Sequence, residues 1–127
     1  MIQPRWLSVD QVLRLHDIQI RRFGGQPGVR DYGLLESAVL RPRNQHHYEG
    51  IEDIVHLAAT YAIAISANHP FFDGNKRTAF YALAVFLEMH DLPLKAPEHE
   101  ATRAVMELAA GNWDEAQFRD WVRRWAV

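Results

Sequence analysis

The segment from 75 to 90 is apolar on nearly every side of a helix, which limits the folds open to this chain. Its apolar residues include Ala79, Phe80, Leu83, Ala84, Val85, Phe86 and Leu87. A helix that is hydrophobic all round must be surrounded by other elements, so we expect it at the centre of a bundle. The preceding segment, 51–68, has apolar residues at i, i+3, i+4 and i+7, which predicts a second core helix. Alternating β-branched runs are absent from the sequence, so an all-α fold is expected.

The first two helices are predicted from capping residues and helix breakers. Ser8 and Gln11 have the spacing of a capping box, so a helix is expected to begin directly after Ser8 and to end at the Gly24-Gly25 pair. Asp31 should cap a second, short helix, which the Arg41-Pro42 pair stops.

The segment 41–50 is polar and is expected to be an irregular connection. Its adjacent histidines, His46 and His47, diverge and have no third ligand at metal spacing, so we interpret them as exposed loop residues. Asp53 and His56 have half of the spacing found in carboxylate-bridged two-metal sites of helical bundles. The pattern occurs once, so we reject a two-metal site.

Two more helices complete the prediction. Pro97 suits the first turn of a fifth helix, which Gly111 ends. Asn112 and Glu115 have the form of a capping box that starts a sixth helix. We therefore expect a single domain, residues 1–127, folded as a compact bundle of about six helices with the 75–90 helix at its centre.

Composition excludes several classes of function. The sequence has no cysteine, so it forms neither disulfides nor a thiolate metal site. Its formal net charge of −2 lacks the basic excess typical of proteins that bind nucleic acid directly. No run approaches the ~18 consecutive apolar residues of a membrane span, and no signal-like leader opens the chain. We therefore expect a cytoplasmic protein that does not associate with a membrane.

The polar loop between the two core helices is the candidate functional site. It reads His69-Pro70-Phe71-Phe72-Asp73-Gly74-Asn75-Lys76-Arg77-Thr78. Gly74 and Asn75 stand where the loop enters a helix, whose first backbone N–H groups lack intrahelical partners and form an anion site. Lys76 and Arg77 follow in the first turn, where cations are unfavourable unless an anion is bound. These four residues are therefore interpreted as a phosphate cradle.

Asp73 and His69 supply the remaining chemistry of the loop. A carboxylate would repel a phosphate at this place, and Mg²⁺, which joins carboxylate and phosphate oxygens, resolves that conflict. His69 can accept a proton from a hydroxyl nucleophile near neutral pH. Base, metal carboxylate and cradle together indicate phosphoryl or nucleotidyl transfer.

Simpler interpretations stay open at this point. Asp, Gly and Asn are common turn residues, so the loop also fits a plain connector between helices. His16, on the apolar face of the first helix, is interpreted as a hydrogen-bonded core residue rather than a ligand. Arg21 and Arg22 fit a solvated edge, with binding of phosphate or a partner as the alternative.

The loop resembles the signature of the Fic/Doc family, His-x-Phe-x-(Asp/Glu)-Gly-Asn-Gly-Arg-x-x-Arg. Lys76 stands where most Fic proteins have glycine, and Phe80 where they have the second arginine. Both departures are similar to the death-on-curing (Doc) branch, which carries Asn-Lys-Arg. Further segments resemble Doc-type toxins in the same order and cover most of positions 1 to 91, namely 15–17, 22–28, 31–33 and 48–49.

The resemblance implies a toxin of a toxin–antitoxin system that transfers the γ-phosphate of ATP to a hydroxyl of a protein, such as a translation elongation GTPase. His69 would be the catalytic base, Asp73 would hold Mg²⁺, Gly74 to Arg77 would bind phosphates, and Phe71 would anchor the loop in the core. The segment 41–50 would be a flap over the site. The alternatives are AMP transfer, as in typical Fic proteins, and a non-catalytic module that binds a nucleotide or partner.

Inhibition is expected to come from a separate chain. Many Fic proteins restrain themselves with a glutamate of a (Ser/Thr)-x-x-x-Glu-(Gly/Asn) motif, which pairs with the second arginine. Here Phe80 replaces that arginine, and the motif is absent from the sequence. The resemblance implies a Phd-type antitoxin whose disordered tail folds on binding, with Arg22, Arg43 and Arg77 as candidate cations for it.

Overall fold

The computed structural model describes residues 3–127, and helices make up the fold of this part of the chain. They are α1 (Val9–Phe23), α2 (Tyr32–Glu49), α3 (Ile54–Asn68), α4 (Asn75–Met89), α5 (Glu98–Ala109) and α6 (Glu115–Trp125). The β-type pairings within residues 3–127 are two isolated bridges. The predicted all-α class with six helices is confirmed. No helix in this range is both long enough and apolar enough to cross a membrane.

Helices α3 and α4 form the centre of the bundle. α3 packs against α2, α4, α5 and α6, and all its residues from Leu57 to Ile65 are buried. α4 packs against α1, α3 and α5 but is less completely covered, since Phe80 and Tyr81 are only partly buried. The 75–90 segment is therefore a core helix, as predicted, with one face left open toward a cleft.

Helix α1 has the predicted ends. The Ser8 Oγ accepts a hydrogen bond from the Gln11 N–H at 3.1 Å, and the Gln11 Oε1 accepts one from the Ser8 N–H at 2.7 Å. The helix ends at Gly24, whose φ of 82° is accessible to glycine at little cost. The capping box thus fixes where α1 enters the bundle.

Helix α2 is longer than predicted, because it continues through Pro42. A proline inside a helix removes one backbone hydrogen bond and is normally unfavourable. Pro42 is buried in the core, and the helix ends only at Gly50, in the left-handed conformation. The predictions of a short second helix and of an irregular flap at 41–50 are therefore wrong.

The two histidines of α2 differ from each other. His46 is half-buried, with its Nδ1 2.8 Å from the carbonyl oxygen of Ile51 and its ring 5.5 Å from that of Trp6. His47 is exposed. The interpretation as exposed loop residues is wrong for His46, and for His47 it is right about exposure only.

Two helix starts lie slightly later than predicted. Asp53 caps α3, so this helix begins three residues after the predicted position, and its Oδ2 also accepts a hydrogen bond from Arg123 of α6 at 2.6 Å. The capping box of α6 is formed by Asp114 and Gln117, two residues beyond the predicted pair. Pro97 takes the N-cap position of α5, close to the predicted place.

Candidate active site

The loop between α3 and α4 begins at His69, which ends α3 in a left-handed conformation (φ 50°, ψ 54°). Its N–H donates to the Ile65 carbonyl at 3.1 Å. This conformation costs a residue with a Cβ roughly 1–2 kcal/mol, although histidine is among the residues that adopt it more often. The residue is exposed and lines the cleft.

The end of the loop leaves the N-terminus of α4 uncapped. Gly74 is the N-cap residue, with φ 78°, and within residues 3–127 no side chain caps the helix. The first intrahelical bond of this turn joins the Thr78 N–H to the Gly74 carbonyl at 3.0 Å. The N–H groups of Asn75, Lys76 and Arg77 therefore lack intrahelical partners, which makes this end of α4 an anion-binding element.

The side chain of Asn75 holds the loop together. Its Oδ1 accepts a hydrogen bond from the Phe71 N–H at 3.0 Å, and its Nδ2 donates to the Phe71 carbonyl at 2.9 Å. The residue is only 5% exposed. Asn75 can therefore contribute to a phosphate cradle through its backbone N–H, while its amide shapes the turn. No pattern in the sequence indicates this second role.

The side chains of His16 and Phe71 pack together on the buried side of the loop. The two rings stack with centroids 3.7 Å apart and planes 5° from parallel. The His16 Nε2 lies 2.8 Å from the backbone oxygen of Asp73, to which the protonated nitrogen can donate. Both side chains are buried. The interpretation of His16 as a hydrogen-bonded core residue is confirmed, but its partner in the candidate site was not foreseen.

Asp73 presents an exposed carboxylate to the cleft. Its Oδ2 accepts a hydrogen bond from the Gln26 N–H at 2.6 Å, which orients the group. Within residues 3–127 there is no cluster of three or more His, Cys, Asp or Glu residues that could hold a metal ion. A cation at Asp73 would therefore take its other ligands from phosphate oxygens and water. This donor set fits Mg²⁺, which usually keeps several waters and binds through one or two carboxylates.

A cleft of about 610 Å³ lies over the loop and the open face of α4. His69, Asp73, Lys76 and Arg77 lie on its polar side. Residues of α5 and the end of α1 add a largely apolar side, including Phe23, Ala101, Val105, Met106 and Ala109. That α5 forms this wall was not predicted, because the helix is separated from the loop along the chain.

Residues 6–87 match the family model described as the Fic/DOC family. The chain belongs to the Fic/DOC family. It is 32% identical to the protein kinase doc of Escherichia phage P1 over 120 residues, 94% of each chain. It is 43% identical to the toxin Doc of Mycolicibacterium smegmatis over 77 residues, 58% of each chain.

Lys76 and Phe80 are the departures of this Fic/DOC chain from the general signature. The Lys76 side chain is exposed at the polar side of the cleft. Phe80 lines the same cleft with an aromatic ring, at the position where typical Fic members have their second arginine. The cleft therefore has one arginine from α4, Arg77, and an apolar surface next to it.

Proposed function

We propose that this protein is a Doc-type toxin that transfers the γ-phosphate of ATP to a hydroxyl side chain of a protein. The observation that carries the proposal is the uncapped N-terminus of α4, whose first turn contains the cations Lys76 and Arg77 and lines the same cleft as the candidate base His69. The relative from phage P1, which is similar over nearly its whole length, is named a protein kinase. This name describes the phage protein, and its similarity to the present chain supports the same chemistry for both.

In this proposal the α4 N-terminus binds phosphate oxygens of ATP through the N–H groups of residues 75–77. Lys76 and Arg77 add positive charge, and the bound phosphates remove the penalty of placing these cations at a helix N-terminus. A bound Mg²⁺ would neutralise charge on the phosphates and would be held by Asp73. The cradle orients the γ-phosphate toward the hydroxyl that attacks it.

His69 acts as the general base. It takes the proton of the target hydroxyl while the hydroxyl oxygen forms a bond to the γ-phosphorus and the bond from that phosphorus to the ADP oxygen breaks. ADP leaves with the electron pair of the broken bond, and the target carries the phosphate. A translation elongation GTPase is the proposed target, because the Doc-type signature implies it.

The experiment that tests the proposal uses two labels on the nucleotide. The purified protein is incubated with a cell extract and with ATP labelled in either the γ- or the α-phosphate. Label from the γ-phosphate alone on a protein band is expected. Label from the α-phosphate, with a mass increase of one AMP, would instead establish AMP transfer. Binding of ATP with neither label transferred would indicate a non-catalytic module.

We also propose inhibition in trans by a Phd-type antitoxin. The relative from M. smegmatis is named a toxin. Phe23, Phe72 and Met106 are exposed apolar residues that line the cleft, beside the cation Arg77. A disordered tail that folds there would bury this apolar surface and satisfy the cation.

The antitoxin proposal is tested by expression in bacteria. The chain expressed alone should act in the cytoplasm and arrest the growth of the cells. Co-expression of the adjacent small gene should relieve the arrest through a stable complex. A wild-type chain that is harmless at high level, like its His69 variant, would contradict the toxin assignment.

A further inference from the structure

The connection between α1 and α2, residues 24–31, lies directly against the signature loop. The N–H groups of Arg30 and Asp31 both donate to the Pro70 carbonyl, at 2.7 and 3.1 Å. An isolated antiparallel bridge joins Val29 of this connection to the residue that follows Pro70. The backbone of Arg30 is thus fixed beside the end of α3.

The side chain of Arg30 binds the two peptide groups on either side of the His69 Cα. Its Nε donates to the His69 carbonyl at 2.8 Å, and its Nη2 donates to the Asn68 carbonyl at 3.0 Å. The two peptide groups that these carbonyls belong to define φ and ψ of His69. Because a guanidinium is a planar, rigid fork, both bonds together restrain those two angles.

This restraint matters because His69 is in the left-handed conformation, with φ 50° and ψ 54°. Residues with a Cβ keep such a conformation only where the surroundings impose it. The direction of the Cα–Cβ bond, and with it the position of the imidazole in the cleft, follows from these backbone angles. Asn68 and His69 carry the last carbonyls of α3, and a cation near a helix C-terminus commonly hydrogen-bonds such carbonyls, so Arg30 also caps this helix. Capping stabilises α3 whatever residue stands at position 69, whereas positioning acts through the His69 imidazole, so removing Arg30 from a His69→Ala protein distinguishes the two.

We propose that Arg30 is a positioning residue, which holds the backbone of His69 so that the imidazole points at the hydroxyl nucleophile. The inference rests on the role proposed for His69. Arg30 itself touches neither nucleotide nor target in this assignment. Its contribution therefore appears in the rate of transfer rather than in the binding of ATP.

The kinetic test compares Arg30→Ala and Arg30→Lys with the wild type and with Arg14→Ala, a control at an exposed arginine of α1. Misplacement of a catalytic group by about 1 Å can cost up to ~10²-fold, so we expect kcat of Arg30→Ala to fall by about 10- to 100-fold. The KM for ATP should change by less than about two-fold, since the phosphate cradle is intact. Lysine keeps the charge without the fork, so Arg30→Lys should have an intermediate kcat.

A double variant separates positioning from general stabilisation. If Arg30 acts through His69, Arg30→Ala should have almost no further effect on kcat in the His69→Ala protein. An equal loss in both backgrounds would overturn the proposal, and so would a wild-type kcat in Arg30→Lys. Arg30→Lys also carries the test if Arg30→Ala does not fold, which thermal melting would reveal.

A spectroscopic measurement tests the inference independently of activity. The ¹³Cα chemical shift of residue 69, measured by NMR, reports its backbone conformation. It should have the left-handed value in the wild type and in Arg14→Ala, and move away from it in Arg30→Ala. If the wild type transfers no phosphate, the proposed function fails while this shift still tests Arg30. An unchanged shift in folded Arg30→Ala would refute the positioning role.

Discussion

The guanidinium carbon of Arg77 lies 4.3 Å from the centroid of the Phe23 ring. A cation of α4 that is proposed to bind phosphate is therefore held by an aromatic side chain at the end of α1. Arg22 approaches the same ring at 5.5 Å. Both residues line the cleft, so this contact restrains the Arg77 guanidinium at the cleft surface.

Replacing Phe23 by Leu should raise the KM for ATP and leave kcat nearly unchanged. An exposed cation–π contact contributes about 0.5–1 kcal/mol, which corresponds to roughly a two- to five-fold change in affinity. Steady-state kinetics would measure it. Phe23→Tyr keeps the ring and should behave like the wild type, as should Tyr48→Leu, which removes an exposed aromatic residue of α2. Equal effects of the Tyr and Leu variants at position 23 would contradict the stacking argument.

Replacing His69 by Ala or Asn should lower phosphate transfer by about 10²- to 10⁴-fold, because the general base is lost. Asn tolerates the left-handed backbone of this position, so His69→Asn should melt close to the wild type. Transfer assays and thermal melting are carried out on the same samples. Full activity in either folded variant would refute the assigned role.

Asp73→Asn should weaken the dependence of ATP binding on Mg²⁺, since an amide is a poorer ligand than a carboxylate for this hard cation. The amide oxygen can still accept the hydrogen bond that Gln26 donates to Asp73, so the loop should keep its shape. Titrations of nucleotide binding against Mg²⁺ compare the two proteins. An identical titration curve would place the metal elsewhere.

The surroundings of His56 should make the folding stability depend on pH. Burial of the imidazole and the positive charge of Arg119 lower the pKa of His56 below its ordinary value of 6.5, although Asp53 and Glu49 act in the opposite direction. The unfolded chain therefore takes up this proton more readily than the folded one, and the stability contribution is lost as the pH falls below about 6.5. When the pH is lowered from about 7.5 to about 5.5, the melting temperature of His56→Gln should fall less than that of the wild type. A difference between the two proteins that does not vary with pH would contradict this assignment.

Local sequence signals were sufficient to predict the fold class and most helix ends, because a capping residue or a glycine acts within one helical turn. Ser8 with Gln11 is an example, since the two partners of the capping box lie three positions apart. Pro42 shows the limit of such rules. The proline lies in the middle of α2, where burial outweighs its local preference against a helix.

The candidate site was predictable only as far as its residues are contiguous. The loop from His69 to Arg77 could be found from its order of residue types. Its supports come from remote segments: His16 from α1, the Gln26 N–H from the following connection, and the cleft wall from α5. Contacts between such segments depend on how the helices pack, and no local pattern of the sequence encodes them.

The place of α5 in the chain has a consequence for synthesis on the ribosome. Translation proceeds from the N-terminus, so the signature loop is complete about twenty residues before the first residue of α5 is made. A nascent chain that stops between the two already contains every residue proposed for catalysis but lacks the part of the cleft wall that α5 supplies. The growing polypeptide thus passes through a stage in which the residues proposed for catalysis are all present while one wall of the cleft is still missing.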